Sequence, residues 1–177
     1  PEWIQALTKH FDENQTVLPL FHYIQNNTPL IISSDGSKGE RRSGGSWIIA
    51  LECGTHIVKG HNPNFGQISA INSYRAEVYA SLAVILFLHL YSAYYHLPVK
   101  NKTHALCDNQ AYVNKLTWLL EDDYHQQGLH KNTEAEALTI ILQLLPKNFS
   151  IEHVKSHQDD KVAYNDLDTK AQLNIDA

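Results

Sequence analysis

One long apolar segment constrains the fold of this chain more than any other feature of the sequence. From Ser73 to Tyr95, apolar residues fill most of one broad helical face, and Pro98 stands where a helix should stop. A helix of this kind must bury its apolar face against other elements. Strand-like runs precede and follow it along the chain, so the segment predicts a helix that packs against a β-sheet.

The predicted sheet has five strands. Their limits are Leu30 to Asp35, Ser46 to Leu51, Thr55 to about Lys59, Thr103 to Cys107, and Phe149 to Val154. Short turns join the first three strands, one of them a loop rich in Gly, Lys and Arg from Gly36 to Gly45, and this predicts an antiparallel meander. Because the long helix separates the meander from the fourth strand, that strand should return parallel to the first by a right-handed crossover.

Further helices are predicted in the second half of the chain. They run from about Asn109 to Leu120, from Thr133 to Leu145, and from a start near Asp168. A Thr133–Glu136 capping box should begin the second of these, and the Asp168 side chain should cap the third. The connecting loops are predicted at Pro63 to Ile71, Glu121 to Lys131, and His157 to Asn165.

The composition and length fit one domain with a single core. The chain has 177 residues, of which 43% are hydrophobic. Residues 1–28, in which Trp3, Ile4 and Leu7 have helical spacing, are interpreted as a lead-in or tether segment. Residues 29–177 are interpreted as the folded domain.

Several features favour an intracellular protein, cytoplasmic or nuclear, rather than a secreted one. Cys53 and Cys107 lie in strand-like surroundings without metal-ligand spacing, and both are predicted to be reduced core residues. No segment shows the basic, apolar and small-residue order of a signal peptide. The apolar run from Ala76 to Tyr91 is interrupted by polar residues, so no membrane partner is expected.

The charge balance argues against nucleic-acid binding that depends mainly on basic side chains in contact with phosphate. The formal net charge is −5 and the sequence pI is about 6.1. A protein that depends on phosphate contacts is expected to be basic. A cluster of acids that holds divalent cations would reconcile the two, because the cations restore positive charge where phosphate lies.

Three carboxylates fall where strands end or where the long helix begins. Asp35 ends the first strand, Glu77 lies near the start of the long helix, and Asp108 follows the fourth strand. Each alone has an ordinary explanation: an Asp-Gly turn, a first-turn glutamate favoured by the helix dipole, and a helix N-cap. These explanations do not account for the joint arrangement, because the ends of neighbouring parallel strands meet at one edge of a sheet.

Converging carboxylates repel one another unless cations neutralise them, and their oxygens suit Mg²⁺ or Mn²⁺. Two such ions can hydrolyse a phosphodiester, one by activating water and the other by stabilising the leaving oxygen. The arrangement therefore predicts a metal-dependent nuclease with Asp35, Glu77 and Asp108 as metal ligands.

Four segments also follow one another in a familiar order: Ile31 to Ser37, Tyr74 to Ala80, Leu106 to Val113, and His153 to His157. They resemble the successive motifs of type 1 ribonuclease H, in the version attached to retrotransposon reverse transcriptases, and the resemblance covers roughly Leu30 to Ala177. It implies an α/β, ribonuclease H-like fold, with a five-stranded mixed sheet and helices on both faces. It further implies an endonuclease that hydrolyses the RNA strand of RNA–DNA hybrids.

The same resemblance implies roles for individual residues. Asp35, Glu77 and Asp108 would hold two Mg²⁺ or Mn²⁺ ions, and His157 would assist proton transfer or product release. The implied partners are an RNA–DNA hybrid and a covalently linked reverse transcriptase. A solvated loop histidine is the ordinary alternative for His157, and a zinc pair with His153 lacks a third ligand.

In the family that the chain resembles, a fourth carboxylate follows an Asn-x-x-Ala pattern on the last helix. The last four residues, Asn174 to Ala177, fit that pattern, so the aspartate is expected at the next position and the last helix is expected to be truncated. Asp176 lies about 200° round the helix from that position, and Asp168 is better explained as an N-cap. Neither is assigned as a ligand.

Recognition of the RNA 2′-hydroxyls in the minor groove is expected from Ser37, Asn109 and Gln110, each of which has an ordinary alternative as a turn or cap residue. The basic loop from Lys38 to Arg42 either touches phosphate or is a solvated turn. Two other functions stay open. One is another nuclease or integrase of the same fold, and the other is an inactive module of this fold that serves as a connection or binding domain.

Overall fold

The computed structural model describes residues 17–38, 43–63 and 72–177. Within these residues the strands are β1 (Leu30–Lys38), β2 (Ser43–Leu51), β3 (His56–Pro63), β4 (Thr103–Cys107) and β5 (Phe149–His153). The α-helices are α1 (Leu18–Gln25), α2 (Ser73–Tyr95), α3 (Gln110–Glu121), α4 (Asp123–Gln126), α5 (Ala135–Leu144) and α6 (Thr169–Asp176).

The five strands form one mixed sheet in the order β3-β2-β1-β4-β5. β1 pairs antiparallel with β2, and β2 pairs antiparallel with β3. β4 lies parallel to β1 and to β5. This confirms the predicted meander and the predicted parallel return of the fourth strand. The C-terminal ends of β1, β4 and β5 therefore lie at one edge of the sheet.

Helix α2 has the predicted limits and fills the core on one face of the sheet. By length and composition it could cross a membrane, but 72% of its most apolar 18-residue stretch is buried inside the fold, as is typical of a core helix. Its Phe87 ring stacks on Trp47 of β2 with 5.2 Å between ring centroids. On the opposite face, Leu173 of α6 packs with Ile31 and Leu106. Helices thus cover both faces of the sheet, as predicted.

Glycines in β1 and β2 let α2 approach the sheet closely. β1 continues to Lys38 and β2 begins at Ser43, so the alternative of an Asp-Gly turn at Asp35 is wrong. A Cβ atom on Gly36 would overlap the backbone of Ala76 and Glu77, and one on Gly45 would lie 2.6 Å from the Cβ of Ala80. These glycines are needed for close packing rather than for a turn.

Other limits differ from the prediction by a few residues. β3 extends to Pro63, well past Lys59. The Glu121–Lys131 stretch is not an open loop, because it contains α4 and a 3₁₀ turn whose Leu129 side chain is buried. Residues 39–42, in the predicted basic loop, and residues 64–71, most of the predicted loop from Pro63 to Ile71, lie outside the described residues.

Two local predictions are wrong, one on the start of α5 and one on the burial of the cysteines. The Thr133–Glu136 capping box does not form, since α5 begins at Ala135 without a side-chain cap. The preceding residue, Glu134, is buried and lies 3.5 Å from the Arg75 guanidinium. Both cysteines are free, but only Cys107 is buried, whereas Cys53 is exposed after β2.

The predicted lead-in contains a helix that belongs to the folded core. Leu20 and Ile24 of α1 are 0% and 1% exposed. The Tyr91 hydroxyl donates to the Val17 carbonyl at 2.8 Å, and the buried Asn101 amide donates to the carbonyl of Thr28 at 2.7 Å. Residues 17–28 are therefore anchored to α2 and to the segment before β4. Residues 1–16 lie outside the described residues, and the division of the chain at residue 28 stays a prediction.

We predict that Leu20→Ala lowers the free energy of unfolding by about 2–5 kcal/mol, as expected for a core leucine. Leu18→Ala on the same helix is the matched control, because Leu18 is 66% exposed and should change stability little. Urea denaturation of both variants checks this. Equal, small effects would mean that α1 is a dispensable tether.

Candidate active site

The first two carboxylates lie side by side at the edge where β1 and β4 end. Ser33 of β1 is in register with Leu106 of β4. Asp35 comes two residues later on β1, and Asp108 directly follows β4; the two are close enough that the charge of Asp108, after burial, raises the pKa of Asp35. Neighbouring strands are about 4.8 Å apart, so the two side chains reach a common space.

Glu77 reaches this edge from α2. Its side chain is 2% exposed, and its Oε1 accepts a hydrogen bond from the Gly36 backbone N–H at 2.8 Å. The Cys107 thiol donates to Oε2 at 3.5 Å. The N-cap of α2 is Asn72, whose side chain accepts from the Arg75 N–H, so Glu77 lies past the first turn. A favourable contact with the helix dipole therefore does not explain its position.

Asp108 is not used as a helix cap. The Asn109 side chain caps α3 instead, accepting a hydrogen bond from the Tyr112 N–H at 3.1 Å. The backbone carbonyl of Asp108 accepts from Nε2 of His153 at 3.1 Å, which ties the end of β4 to β5. The carboxylate of Asp108 is thus left facing the edge of the sheet.

These residues border an open cleft of about 660 Å³ at the strand ends. The described residues that line it are Asp35, Gly36, Ser37, Lys38, Ser73, Glu77, Asp108, Asn109, Ser156, His157, Asp159, Asn174 and Ile175. All four predicted catalytic residues meet there, with two of the three predicted substrate-binding residues. Gln110 is not in this lining, and its side chain donates to Asn114 at 2.8 Å.

His157 lies in the cleft in an unusual backbone conformation. Its φ is 51°, in the left-handed region that few residues other than glycine adopt. It begins a 3₁₀ turn, Gln158–Asp160, in the loop after β5. Such a conformation persists only where the surrounding structure holds it, and it is common at functional sites.

Burial changes the proton affinity of the carboxylates. Burial raises the pKa of Glu77 from its usual value of 4.5 to about 8; the Gly36 hydrogen bond opposes this shift, and the charges of Asp108 and Asp35 add to it. Burial, and then the charge of Asp108, also raise the pKa of Asp35. In the part of the chain that the structure describes, no Lys, Arg or His forms an ion pair with Glu77. The cleft therefore favours either protons or cations.

The donor set fits a hard divalent cation. One atom each of Glu77, Cys107 and Asp108 lies within 4.8 Å of the others, and Asp35 lies beside Asp108. Burial raises the pKa of the Cys107 thiol, which donates to Glu77, and a soft sulfur is a poor ligand for a hard cation. Carboxylate oxygens are then the available donors, as Mg²⁺ and Mn²⁺ prefer. The assignment of ligands stays a prediction.

Asp176 lies outside the described lining of the cleft. Its carboxylate is 3.1 Å from Nε2 of His56 and accepts a hydrogen bond from the Tyr164 hydroxyl at 2.7 Å. Asp168 caps α6 as predicted, accepting from the Ala171 N–H at 2.8 Å. The cleft wall is formed instead by Asn174 and Ile175, the two residues before Asp176.

Sequence reasoning missed several residues of the cleft. Ser73, Ser156, Asp159 and Asn174 line it without having been assigned a role. For two of them the sequence held a clue to their place in the cleft: Ser156 stands beside His157 in the fourth motif, and Asn174 begins the Asn-x-x-Ala pattern. No sequence pattern pointed to Ser73 or Asp159, since only the folded chain brings them to the strand ends.

Comparison with known proteins supports the fold. No family model matches the sequence, and no curated protein matches it in sequence. Ribonuclease H1 from the halophilic archaeon Halobacterium salinarum is similar in structure, with a TM-score of 0.52 and 17% identity, covering 84% of this chain and 98% of that one. LC11 ribonuclease H1, isolated from compost by a metagenomic approach and solved in complex with an RNA/DNA hybrid, has a TM-score of 0.52 and 17% identity, covering 75% and 90%.

The foamy viral protease-reverse transcriptase, in complex with an RNA/DNA hybrid, also has a TM-score of 0.52, at 13% identity. The match covers 92% of this chain but only 21% of that much longer one. At these identities, the similarities show the fold alone. They confirm the predicted ribonuclease H-like fold, with its five-stranded mixed sheet.

We predict that, without divalent cations, the free energy of unfolding decreases as pH rises from about 4.5 to about 8, the interval between the usual and the folded-state pKa of Glu77. The folded protein keeps a proton on Glu77 that the unfolded chain releases, so the stabilisation is complete below pH 4.5 and lost as pH passes 8. Glu77→Gln cannot ionise and should flatten this dependence, whereas Glu136→Gln, at an exposed site, should not.

Urea denaturation across this pH range measures the effect. Added Mg²⁺ should restore stability to the wild type at high pH, because it binds the ionised form. A wild-type pH dependence that survives in Glu77→Gln would contradict the assignment to this residue.

Proposed function

We propose that this chain is a type 1 ribonuclease H, a metal-dependent endonuclease that hydrolyses the RNA strand of RNA–DNA hybrids. The observation that carries the proposal is the convergence of Asp35, Glu77 and Asp108, with His157, in one open cleft at the strand ends. The fold of known ribonucleases H1, one of them solved with an RNA/DNA hybrid, supports it. An inert binding module of this fold would not need three clustered acids there.

The chain's own residues divide the work of the reaction. Asp35 and Asp108 would hold metal ions from adjacent strand ends, together with Glu77, which the hydrogen bond from Gly36 orients. Mg²⁺ or Mn²⁺, when bound there, would supply an activated water and would stabilise the charge on the leaving oxygen. His157, across the cleft, accepts or delivers a proton near the leaving group or eases product release.

Selectivity for RNA is assigned to the polar residues at the cleft. The Asn109 Oδ1 is engaged in the cap of α3, which leaves its Nδ2 to donate to a 2′-hydroxyl. The Ser37 hydroxyl donates weakly to the Gly44 carbonyl at 3.4 Å, so its oxygen is available as an acceptor. Gln110 is a weaker candidate, because it lies outside the described lining and its amide is engaged with Asn114.

The proposal extends to the context of the domain. The similarity to a viral protein that contains a reverse transcriptase supports a covalently linked reverse transcriptase, as in a retroelement. An intracellular setting, cytoplasmic or nuclear, is proposed on the two free cysteines. A Western blot of the native protein with an antibody against this domain tests the linkage, and a band of domain size alone would contradict it.

We predict that Asp108→Asn lowers hybrid cleavage in Mg²⁺ by about a thousandfold, because metal-assisted catalysis supplies several kcal/mol of transition-state stabilisation. The fold should persist, since the change keeps the side-chain size. Asp166→Asn, at an exposed site away from the cleft, is the matched control and should cleave like the wild type.

Cleavage of hybrid, duplex DNA and duplex RNA of one sequence, with and without Mg²⁺, completes this test. Only the hybrid should be cut, only in its RNA strand, and only with the metal. Equal cleavage of hybrid and duplex DNA would favour a general nuclease of the same fold. Full activity of folded Asp108→Asn would remove the metal assignment.

We predict that His157→Asn lowers turnover of the hybrid by about a hundredfold, the usual size of general acid–base effects. Asparagine tolerates the left-handed backbone at this position, so the loop should keep its shape. Single-turnover and steady-state rates together separate a role of His157 in proton transfer from one in product release. A slower steady state with an unchanged single turnover assigns product release, and unchanged rates in both would leave His157 as a solvated loop residue.

A further inference from the structure

Outside the cleft, three side chains meet at the C-terminal end of α6. The Asp176 carboxylate is 3.1 Å from Nε2 of His56 on β3, and it accepts a hydrogen bond from the Tyr164 hydroxyl at 2.7 Å. Lys59, also on β3, donates to the backbone oxygen of Asp176 at 3.5 Å. We call the group of His56, Asp176 and Tyr164 the α6 clamp. It joins the last helix both to an edge strand and to the loop before that helix.

Few buried side chains hold the described part of α6 against the sheet. Its buried residues are Ala171, Leu173 and Asn174, which leaves a small apolar contact with the sheet. The Gln172 amide donates to the Tyr164 carbonyl at 2.9 Å and adds a second link to the same loop.

The position of α6 decides where one polar side chain enters the cleft. Asn174 lines the cleft and is 7% exposed. Its Oδ1 is buried and has no hydrogen-bond partner among the described residues. Since no hydrogen bond of its own orients this amide, its place in the cleft wall follows from the placement of the helix. Asp176, two residues later, is the polar anchor of that helix.

The chemistry of the clamp suits a fixed link. A hydroxyl that donates to a carboxylate forms a charge-assisted hydrogen bond, which is stronger than a neutral one. This hydrogen bond to Asp176 raises the pKa of Tyr164, so the tyrosine remains a donor over the ordinary pH range. His56 and Tyr164 thus both contact Oδ2 of Asp176.

We propose that Asp176 is a positioning residue: by binding His56 and Tyr164 it fixes α6 against β3 and so holds the Asn174 amide in the cleft wall, where it contacts the substrate. The effect on cleavage rests on the proposed function, whereas the effect on α6 does not. The first test therefore needs no substrate.

Hydrogen–deuterium exchange of the α6 amides measures the clamp directly. Tyr164→Phe removes only the hydroxyl and should speed exchange in α6 about tenfold, the size expected when a hydrogen bond to a charged group is lost. Asp176→Asn should have a similar effect. Asp166→Asn removes a negative charge from the same loop without touching the clamp, and it should exchange like the wild type. Unchanged exchange in both clamp variants would overturn the proposal.

A double variant separates the clamp from two unrelated effects. If Tyr164 and Asp176 act through one contact, Tyr164→Phe combined with Asp176→Asn should speed exchange no more than Asp176→Asn alone. Multiplied effects in the double variant would show that the two residues act independently, and the clamp would be refuted.

The link to the cleft has a spectroscopic readout. The Asn174 side-chain NH₂ signals, assigned in NMR spectra from Asn174→Asp, should shift in the clamp variants and not in Asp166→Asn. With an active enzyme, the clamp variants should raise KM for the hybrid about threefold to tenfold and leave kcat within about twofold, because a substrate contact is lost rather than a reacting group.

The outcomes are distinguishable. A wild type that cleaves no hybrid defeats the proposed function but leaves the exchange and NMR results to decide on the clamp. Faster exchange with unshifted Asn174 signals and an unchanged KM would overturn the positioning role.

Discussion

The hydrogen bond from the Gly36 backbone to Glu77 is the contact on which the candidate site depends. It exists because a glycine lets the start of α2 lie directly against β1, where any Cβ atom would overlap the helix backbone. The same close approach is repeated at Gly45, one strand further along the sheet. The large apolar face of α2 supplies the driving force for this packing, and the glycines set how close it comes. A buried acid is thereby delivered from a core helix to the ends of two strands.

Placing Glu77 beside two other carboxylates is electrostatically unfavourable, and this explains the proton affinity of the cleft. Three acids share a partly buried space, and burial, with a smaller contribution from their mutual repulsion, raises the pKa of Glu77 and of Asp35. Bound cations would neutralise these carboxylates; without cations, bound protons do so. The acidic net charge of −5 then fits a nuclease, because the positive charge that meets the phosphate would come from bound ions and not from lysine and arginine side chains.

The sequence predicted the parts of this architecture that follow from strong local patterns. The predicted limits of α2 and β4 were correct. Both elements are marked in the sequence by a run of apolar residues whose first and last positions are easy to recognise. Errors arose where the folded chain departs from local preference: Gly36 is a packing glycine, and α5 begins at Ala135 without the predicted Thr133–Glu136 capping box. The burial of Leu20 was invisible in the sequence, since its partners are distant along the chain. For the same reason no local pattern marked Ser73 or Asp159 as part of the cleft.

The anchoring of Val17 to Tyr91 has a steric consequence for the whole domain. Tyr91 lies far along α2 from Glu77, about 21 Å at the rise of an α-helix. The backbone at Val17 is therefore held near the end of the molecule opposite the carboxylates. The described chain thus enters the fold most of the length of α2 away from the carboxylates.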